Sequence, residues 1–327
     1  MSMIRLTQAS SGAPTLSGTS GKLVDVLDWA LVQQGWAIEY STGNNRVYRP
    51  GTGRRRRLYI SHDNSVSGSD SLAVIRGCED ASGALMANLI DPFPQEAQVA
   101  QNNSNIHIST SVGATAKDYT ILLTETFIIM MIRVSGANNW SMWFFGDVPS
   151  NWPGDVWNTA VMVRNSNATT DASTATTGIG GGHPWSMPTT SPYGNIYFAR
   201  SVDGLVKSTK GGFAISCNST GSVPLGAITG MPAARGGFEN RLPREKVYLH
   251  DGGVGGTGSA VATSWIARRA VVPYLWNPMC LNMGPVASLD TFTDTAYNPA
   301  ALFVAYSANV NGAAGFCILE ETDTWSP

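Results

Sequence analysis

The sequence predicts a mainly β protein made of antiparallel sheets, sandwich or barrel-like, with one N-terminal amphipathic helix, an extended N-terminal arm and long loops. Three observations predict it. The 327 residues include 35 Gly, 17 Pro, 32 Ser and 28 Thr, a turn-rich mixture suited to many short strands joined by tight loops. Only 8 Glu and 5 Lys are present, too few to surface a helical bundle. Beyond residue 35 the apolar residues follow a period of two or fall in short runs. With 43% hydrophobic and 13% charged residues, the chain can bury a large core and is neither a disordered tail nor a coiled coil.

Taken in order, residues 1–20 are rich in Ser, Gly and Thr and carry no hydrophobic period, which reads as an extended arm that orders against a partner, most simply another copy. Leu23, Val26, Leu27, Ala30 and Leu31 recur at three- and four-residue steps, Thr19 and Ser20 stand where they can cap, and Gly35 stops the pattern. A helix lying on a sheet is expected there. The period then changes to two at Trp36, Ile38 and Tyr40; Gly43-Asn44-Asn45 turns the chain and Val47 and Tyr48 open the next strand. Further strands are expected at Arg57 to Ser61, Ser71 to Gly77, Ile106 to Thr110, Thr120 to Val134 as one long or broken strand, Trp140 to Gly146, and Thr159 to Arg164. The Ser/Thr/Asn/Ala and then Gly-rich stretch from 165 to 182 cannot bury enough apolar area to order itself, so residues 165–188 read as a loop or linker. Strands resume at Asn195 to Arg200, Gly212 to Cys217, Lys246 to His250, Ala301 to Ser307 and Phe316 to Glu320. The expected organisation is an arm (1–20), a helix-plus-sheet region (21–164), the linker (165–188) and a second β-rich region (189–327) able to pack with the first as one domain.

A formal charge of −2 and a pI near 6.1 argue against a surface that grips nucleic acid or an acidic membrane as a whole. Cys78, Cys217, Cys280 and Cys317 form no C-x-x-C pair, so reduced, mostly buried thiols are expected rather than a zinc ribbon. The start MSMIRLTQAS has no apolar core of a signal peptide, so export is not expected. Phe127 to Ile132, the longest apolar stretch, is too short to span a bilayer.

Several motifs fail on context. Gly253-Val254-Gly255-Gly256-Thr257-Gly258 fits G-x-G-x-x-G, but Trp276, Asn277 and Pro278 occupy the place of the acidic residue expected about 20 residues on. Gly21-Lys22 lacks the upstream glycine of a P-loop, and G-x-S-x-G does not occur. His62, His107, His183 and His250 show no ligand spacing; His62-Asp63 and His250-Asp251 each end a strand and read as turn caps beside an exposed imidazole. No carboxylate pair stands out. The expectation is no catalytic residue, no cofactor and no metal.

Two features suit interfaces instead. Arg54-Arg55-Arg56-Arg57 leads into an apolar strand, and 16 of the 21 basic residues are Arg, the side chain suited to bidentate contacts; its guanidinium groups are expected to face solvent or a neighbour's acids. Trp140, Trp143, Phe144, Phe145, Trp152 and Trp157 crowd into eighteen residues. Arg54, Arg55, Arg56, Arg57, Trp140, Trp143, Trp152 and Trp157 are therefore the candidate interface residues.

These residues also carry a resemblance. Leu16 to Asp28 (LSGTSGKLVDVLD), Gly35-Trp36, Tyr40 to Asn45 and Val47-Tyr48-Arg49 resemble the start of virion structural proteins of tailed bacteriophages. The likeness continues in order through Arg57-Leu58-Tyr59-Ile60 to Asp63, Arg76-Gly77-Cys78-Glu79, Asp91-Pro92-Phe93-Pro94, Trp143 to Asp147, Phe198-Ala199-Arg200 and Glu320 to Trp325, so it covers most of the chain. The motifs are scaffold rather than catalytic. The resemblance implies a tail or baseplate component, located in the virion after assembly in the host bacterial cytoplasm, without enzymatic activity or membrane insertion. Its partners would be copies of itself and other virion proteins, with nucleic acid not expected. A tail receptor- or carbohydrate-binding module, contacting a host surface glycan through an exposed platform from Trp140 to Trp157, is the alternative, followed by a capsid decoration or neck protein. Two segments depart from the family's pattern and mark local contacts of their own: Arg54 to Arg57 is more basic, and Ala267 to Trp276 replaces a more Gly-rich version.

Overall fold

The computed structural model describes residues 3–67, 69–94, 105–135, 139–163, 196–205, 213–215, 244–250, 268–278, 289, 291–294, 297–310 and 313–321. The expected loop at 165–182 and the glycine-rich segment 253–258 lie outside the described residues. The strands of the first half are β1 (Ile4–Thr7), β2 (Leu16–Gly18), β3 (Ala37–Thr42), β4 (Asn45–Arg49), β5 (Arg57–Ser61), β6 (Leu72–Ala81), β7 (Leu89–Phe93), β8 (Asn105–His107), β9 (Gly113–Lys117), β10 (Tyr119–Leu123), β11 (Phe127–Ser135), β12 (Asn139–Asp147) and β13 (Thr159–Met162). Those of the second half are β14 (Ile196–Phe198), β15 (Phe213–Ile215), β16 (Arg244–His250), β17 (Arg268–Pro278), β18 (Thr291–Asp294), β19 (Asn298–Val310) and β20 (Ala313–Glu321). Among the described residues two α-helices interrupt them, α1 (Lys22–Leu31), extended by a short 3-10 turn, and the single turn α2 (Asn64–Ser67).

The fold is mainly β and antiparallel, as the composition predicts, and layered rather than closed into a barrel among the described residues. An amino-terminal sheet runs β3-β4-β5-β6-β7, with β8 also on β6. A larger sheet runs β1-β10-β11-β12-β19-β20-β17-β16-β15, with β13 and β14 continuing from β12 and β18 lying on β19. Among the described residues its two parts meet at the strand pair Asn139–Ala308 and the isolated bridge Ser150–Ala270, so β1 and β10–β14 act as a central layer and β15–β20 as a carboxyl-terminal one.

The central layer is buried on both faces. Ile128, Met130, Ile132, Trp143 and Phe145 join α1 and the amino-terminal sheet in one core, while Phe127, Ile129, Met131, Trp140, Met142 and Phe144 point the other way, against β17, β19 and β20. Neighbours along a strand point to opposite faces, so a strand covered on both sides reads as an unbroken apolar run. Phe127 to Ile132 is that run. At its start, Gly146 lies opposite Phe127 so closely that an added Cβ would stand 2.4 Å from the Phe127 Cα, and its φ is 143°.

α1 buries Leu23, Val24, Val26, Leu27, Ala30 and Leu31, the expected face with Val24 added. Thr19 and Ser20 do not cap it; Gly21 occupies the cap at φ 86° with no side-chain bond of its own, and the His62 ring accepts the Leu23 N–H instead. One further expectation needs correction. The first twenty residues are extended, but the described part, from Met3 onward, packs on its own chain: β1 pairs with β10, β2 with β9, and Leu6 and Leu16 enter the core. Thr120 to Val134 takes the broken form of the expected strand, two strands turned at Thr124, whose hydroxyl accepts the N–H groups of Thr126 and Phe127. β17 is a strand the apolar period does not signal, because Pro273 interrupts it.

Gly146→Ala is expected to lower unfolding free energy by at least about 2 kcal/mol, because the new methyl meets backbone on a strained φ. Chemical denaturation of the purified chain measures it, and a cost below about 0.5 kcal/mol would show that β11 and β12 can separate freely.

Candidate functional site

The arginine run and one of the tryptophans meet. Gly53, at φ 73°, brings the chain so close to Asp147 that the Arg54 N–H donates to Asp147 Oδ2 at 2.7 Å. Arg55 follows at φ 56° and is exposed. Arg56 turns inward, donating to the Val156 carbonyl and Thr159 Oγ1, both at 3.1 Å, while its guanidinium lies 4.7 Å from the centre of the Trp157 ring. Arg200, just past β14, covers the same ring at 4.6 Å, so Trp157 lies against two guanidinium groups. Such contacts are strongest where water is excluded. Burial pulls the Arg56 guanidinium below its ordinary value, against the raising effect of Glu79 and Asp147.

Arg200 reaches the amino-terminal sheet, donating to both carboxylate oxygens of Glu79 on β6 and pairing with Asp91 on β7 at 3.0 Å. Asp91 has φ 46°, a left-handed conformation in a strand, which turns its carboxylate off the ladder between the pairs Asp80–Ile90 and Cys78–Pro92. Arg57 opens β5 and is held by Glu39 at 2.9 Å, Asp80 at 2.8 Å and the Glu79 carbonyl at 2.8 Å.

From the carboxyl-terminal layer comes Arg269 of β17, whose side chain is wholly buried with that of Asp155. Its Nε donates to Asp155 Oδ2 at 2.9 Å and its Nη2 to Oδ1 at 3.0 Å, the two-pronged geometry natural to a guanidinium and a carboxylate. Nη1 donates to the Arg200 carbonyl at 2.7 Å, Nη2 also to the Trp157 carbonyl at 2.9 Å, and the guanidinium lies 4.1 Å from the Phe198 ring centre. Ser150 Oγ donates to Asp155 Oδ2 at 2.8 Å. Burial alone would raise the Asp155 carboxyl, but the Arg269 fork beside it holds it below its ordinary value. All three layers thus meet in one set of charged side chains.

The eight candidate interface residues divide accordingly. Trp140 lies in the second core, edge-on to Tyr306 at 5.0 Å, and Trp143 is completely buried in the first, so neither is an exposed anchor; both faces of β12 are inward. Arg56, Arg57 and Trp157 are used within the chain. Arg54, Arg55 and Trp152 remain exposed, as do Val156 and Leu205, and Arg54 reaches the loop that carries Trp152 and Val156, its Nε 3.5 Å from Asn158 Oδ1. Asp155, Arg200 and Arg269 are not among the candidate interface residues read from the sequence. The available signal was Arg268-Arg269 leading into Ala270-Val271-Val272, which places an arginine where the flanking residues are buried.

His62 is not an exposed turn residue; it is wholly buried, while Asp63 does cap the following turn, accepting the Ser65 N–H at 2.9 Å. Cys78 is buried, as expected, and burial pushes its thiol up to about 12. Among the described residues no helix is long and apolar enough to cross a membrane, and no group of three or more His, Cys, Asp or Glu is placed to hold a metal ion. No protein-family model and no curated protein matches the sequence.

Asp155→Asn and Arg269→Met are each expected to cost about 3–5 kcal/mol of stability, because each leaves the opposite charge buried without its partner. The double variant Asp155→Leu/Arg269→Met is expected to recover a large part of the loss. A double-mutant cycle by chemical denaturation at pH 7 checks this; additive losses would show that the two side chains act separately. Because the folded-state value of Asp155 is depressed, its contribution is complete above about pH 4 and is lost as pH falls through the folded value, so Asp155→Asn flattens the acid limb of the stability curve.

Proposed function

We propose that the chain is a structural component of a tailed bacteriophage particle, in its tail or baseplate, acting by self-association and by packing against other virion proteins, without enzymatic activity. The observation that carries this reading is the destination of the charged side chains. Arg56, Arg57, Arg200 and Arg269 are engaged with Glu39, Glu79, Asp80, Asp91, Asp155 and backbone carbonyls at the meeting of three layers. Charge used in this way fixes a shape. A part that must repeat identically in a particle needs such a shape, and the likeness to virion scaffold motifs points the same way.

The exposed residues Arg54, Arg55, Trp152, Val156 and Leu205 supply the proposed contacts between subunits, since exposed Trp and Arg on a rigid base are the residues that dominate interface energies. The carbohydrate-binding reading needs an exposed row of tryptophans, and with Trp140 and Trp143 in the cores that row is missing from the described surface.

Sedimentation velocity of the purified chain is expected to show a closed oligomer. Trp152→Ala combined with Arg55→Glu is expected to weaken it by about tenfold or more in dissociation constant, with the fold retained. Antibody labelling of intact particles is expected to mark the tail or baseplate. A monomer at about 100 μM that is also absent from particles sinks the proposal, and glycan binding would then be the next assay.

A further inference from the structure

α1 begins without the oxygen that usually caps a helix. Its cap residue, Gly21, sits at φ 86°, where an added Cβ would stand 2.7 Å from Asn44 Oδ1. The missing acceptor comes from 39 residues away, as His62 Nδ1 accepts the Leu23 N–H at 3.0 Å. On the far side of the ring, Nε2 lies 2.8 Å from the Asp70 carbonyl oxygen, which can only accept. Nε2 therefore carries the hydrogen and Nδ1 the lone pair, a tautomer fixed by its two partners. The backbone of the same residue ties in its surroundings: His62 O accepts the Gly21 N–H at 2.9 Å, and His62 N–H donates to the Asn44 carbonyl at 3.1 Å.

A second proton has no place in this arrangement. On Nδ1 it would face the Leu23 N–H directly, at the positive end of the helix dipole and with the ring wholly buried. The charged groups facing the ring are Asp70, Asp25 and Asp63, from the loop before β6, from α1 and from the turn after β5; each favours the protonated form, and burial outweighs them, leaving the imidazole below its ordinary value. Two of these carboxylates have other partners: Asp25 pairs with Lys22 at 2.7 Å, and Asp70 accepts the Ser20 hydroxyl.

We propose that His62 is an acid-sensitive latch on the amino-terminal turn of α1: the neutral ring holds the turn closed, and its protonation releases residues 19–25 while the central layer stays folded. The inference is separate from the particle role proposed above. The sign follows from the linkage. A histidine whose folded value is depressed stabilises the closed turn fully above the ordinary imidazole value of about 6.5, and this is lost as pH falls toward the folded value.

Hydrogen exchange of the full chain, read by peptide mass and corrected for intrinsic exchange rates, tests this between pH 7.5 and 5.0. Peptides over 19–27 are expected to lose protection about tenfold per pH unit below about 6.5, until the folded value is reached, while those over β10–β12 keep theirs. In His62→Gln, a neutral side chain able to accept at one end and donate at the other, α1 protection is expected to lose its pH dependence. The latch is overturned if wild-type protection over 19–27 is unchanged at pH 5.0, if every segment loses protection together, or if His62→Gln keeps the wild-type profile. The wild-type comparison of α1 with the central layer stands even if the variant does not fold.

Discussion

The buried pair of Arg269 and Asp155 is the constraint around which the three layers are arranged. Two opposite charges removed from water incur a large desolvation cost, recovered only where the geometry is close and every donor is used. Here both carboxylate oxygens of Asp155 and the carbonyls of Arg200 and Trp157 receive guanidinium N–H groups. Such a site tolerates little displacement. A slip of β17 that set Ala270 against Asp155 would leave a buried carboxylate unmatched, so the pair holds the carboxyl-terminal layer on the central one. Arg200 extends the same logic to the amino-terminal sheet through Glu79 and Asp91.

That arrangement depends on the central layer being buried on both faces. With apolar side chains on each side, β11 and β12 have no polar face with which to mark their orientation. Hydrophobic burial would accept several sliding arrangements of the outer layers at similar free energy. Directional contacts select one. The charged cluster therefore supplies specificity, while the two cores supply most of the stability.

The legibility of the sequence follows the range of the forces involved. α1 is readable because its periodic face and the stop at Gly35 are local, but its cap is not, since His62 stands 39 residues from Leu23. β11 is readable as an apolar run, yet the turn before it lacks Gly or Pro, because the Thr124 hydroxyl stands in for a turn residue. β17 is hidden for the opposite reason. Pro273 argues against a strand, and the structure places it beside Tyr274, at φ 59°, where the ladder to β16 lapses between the Val271 and Trp276 pairs. The charged cluster is the least legible part. Arginine next to a strand reads as surface, which holds for Arg54 and Arg55, but the carboxylate that draws Arg269 inward lies 114 residues away.

The same interactions that lock the layers also fix the backbone that carries the exposed Trp152 and Arg55. The loop carrying Trp152 is pinned at both ends of its turn: Asn151 N–H donates to the Arg269 carbonyl at 2.7 Å, and Asp155 is held by the Arg269 side chain. On the other flank, Arg54 is fixed through its N–H to Asp147, which leaves Arg55 turned outward. A surface ordered beforehand loses little conformational entropy when it docks, so more of its contact energy is left for association. In the proposed particle component, the buried arginines would thus act on assembly at one remove, by setting the backbone from which Trp152 and Arg55 reach a neighbour.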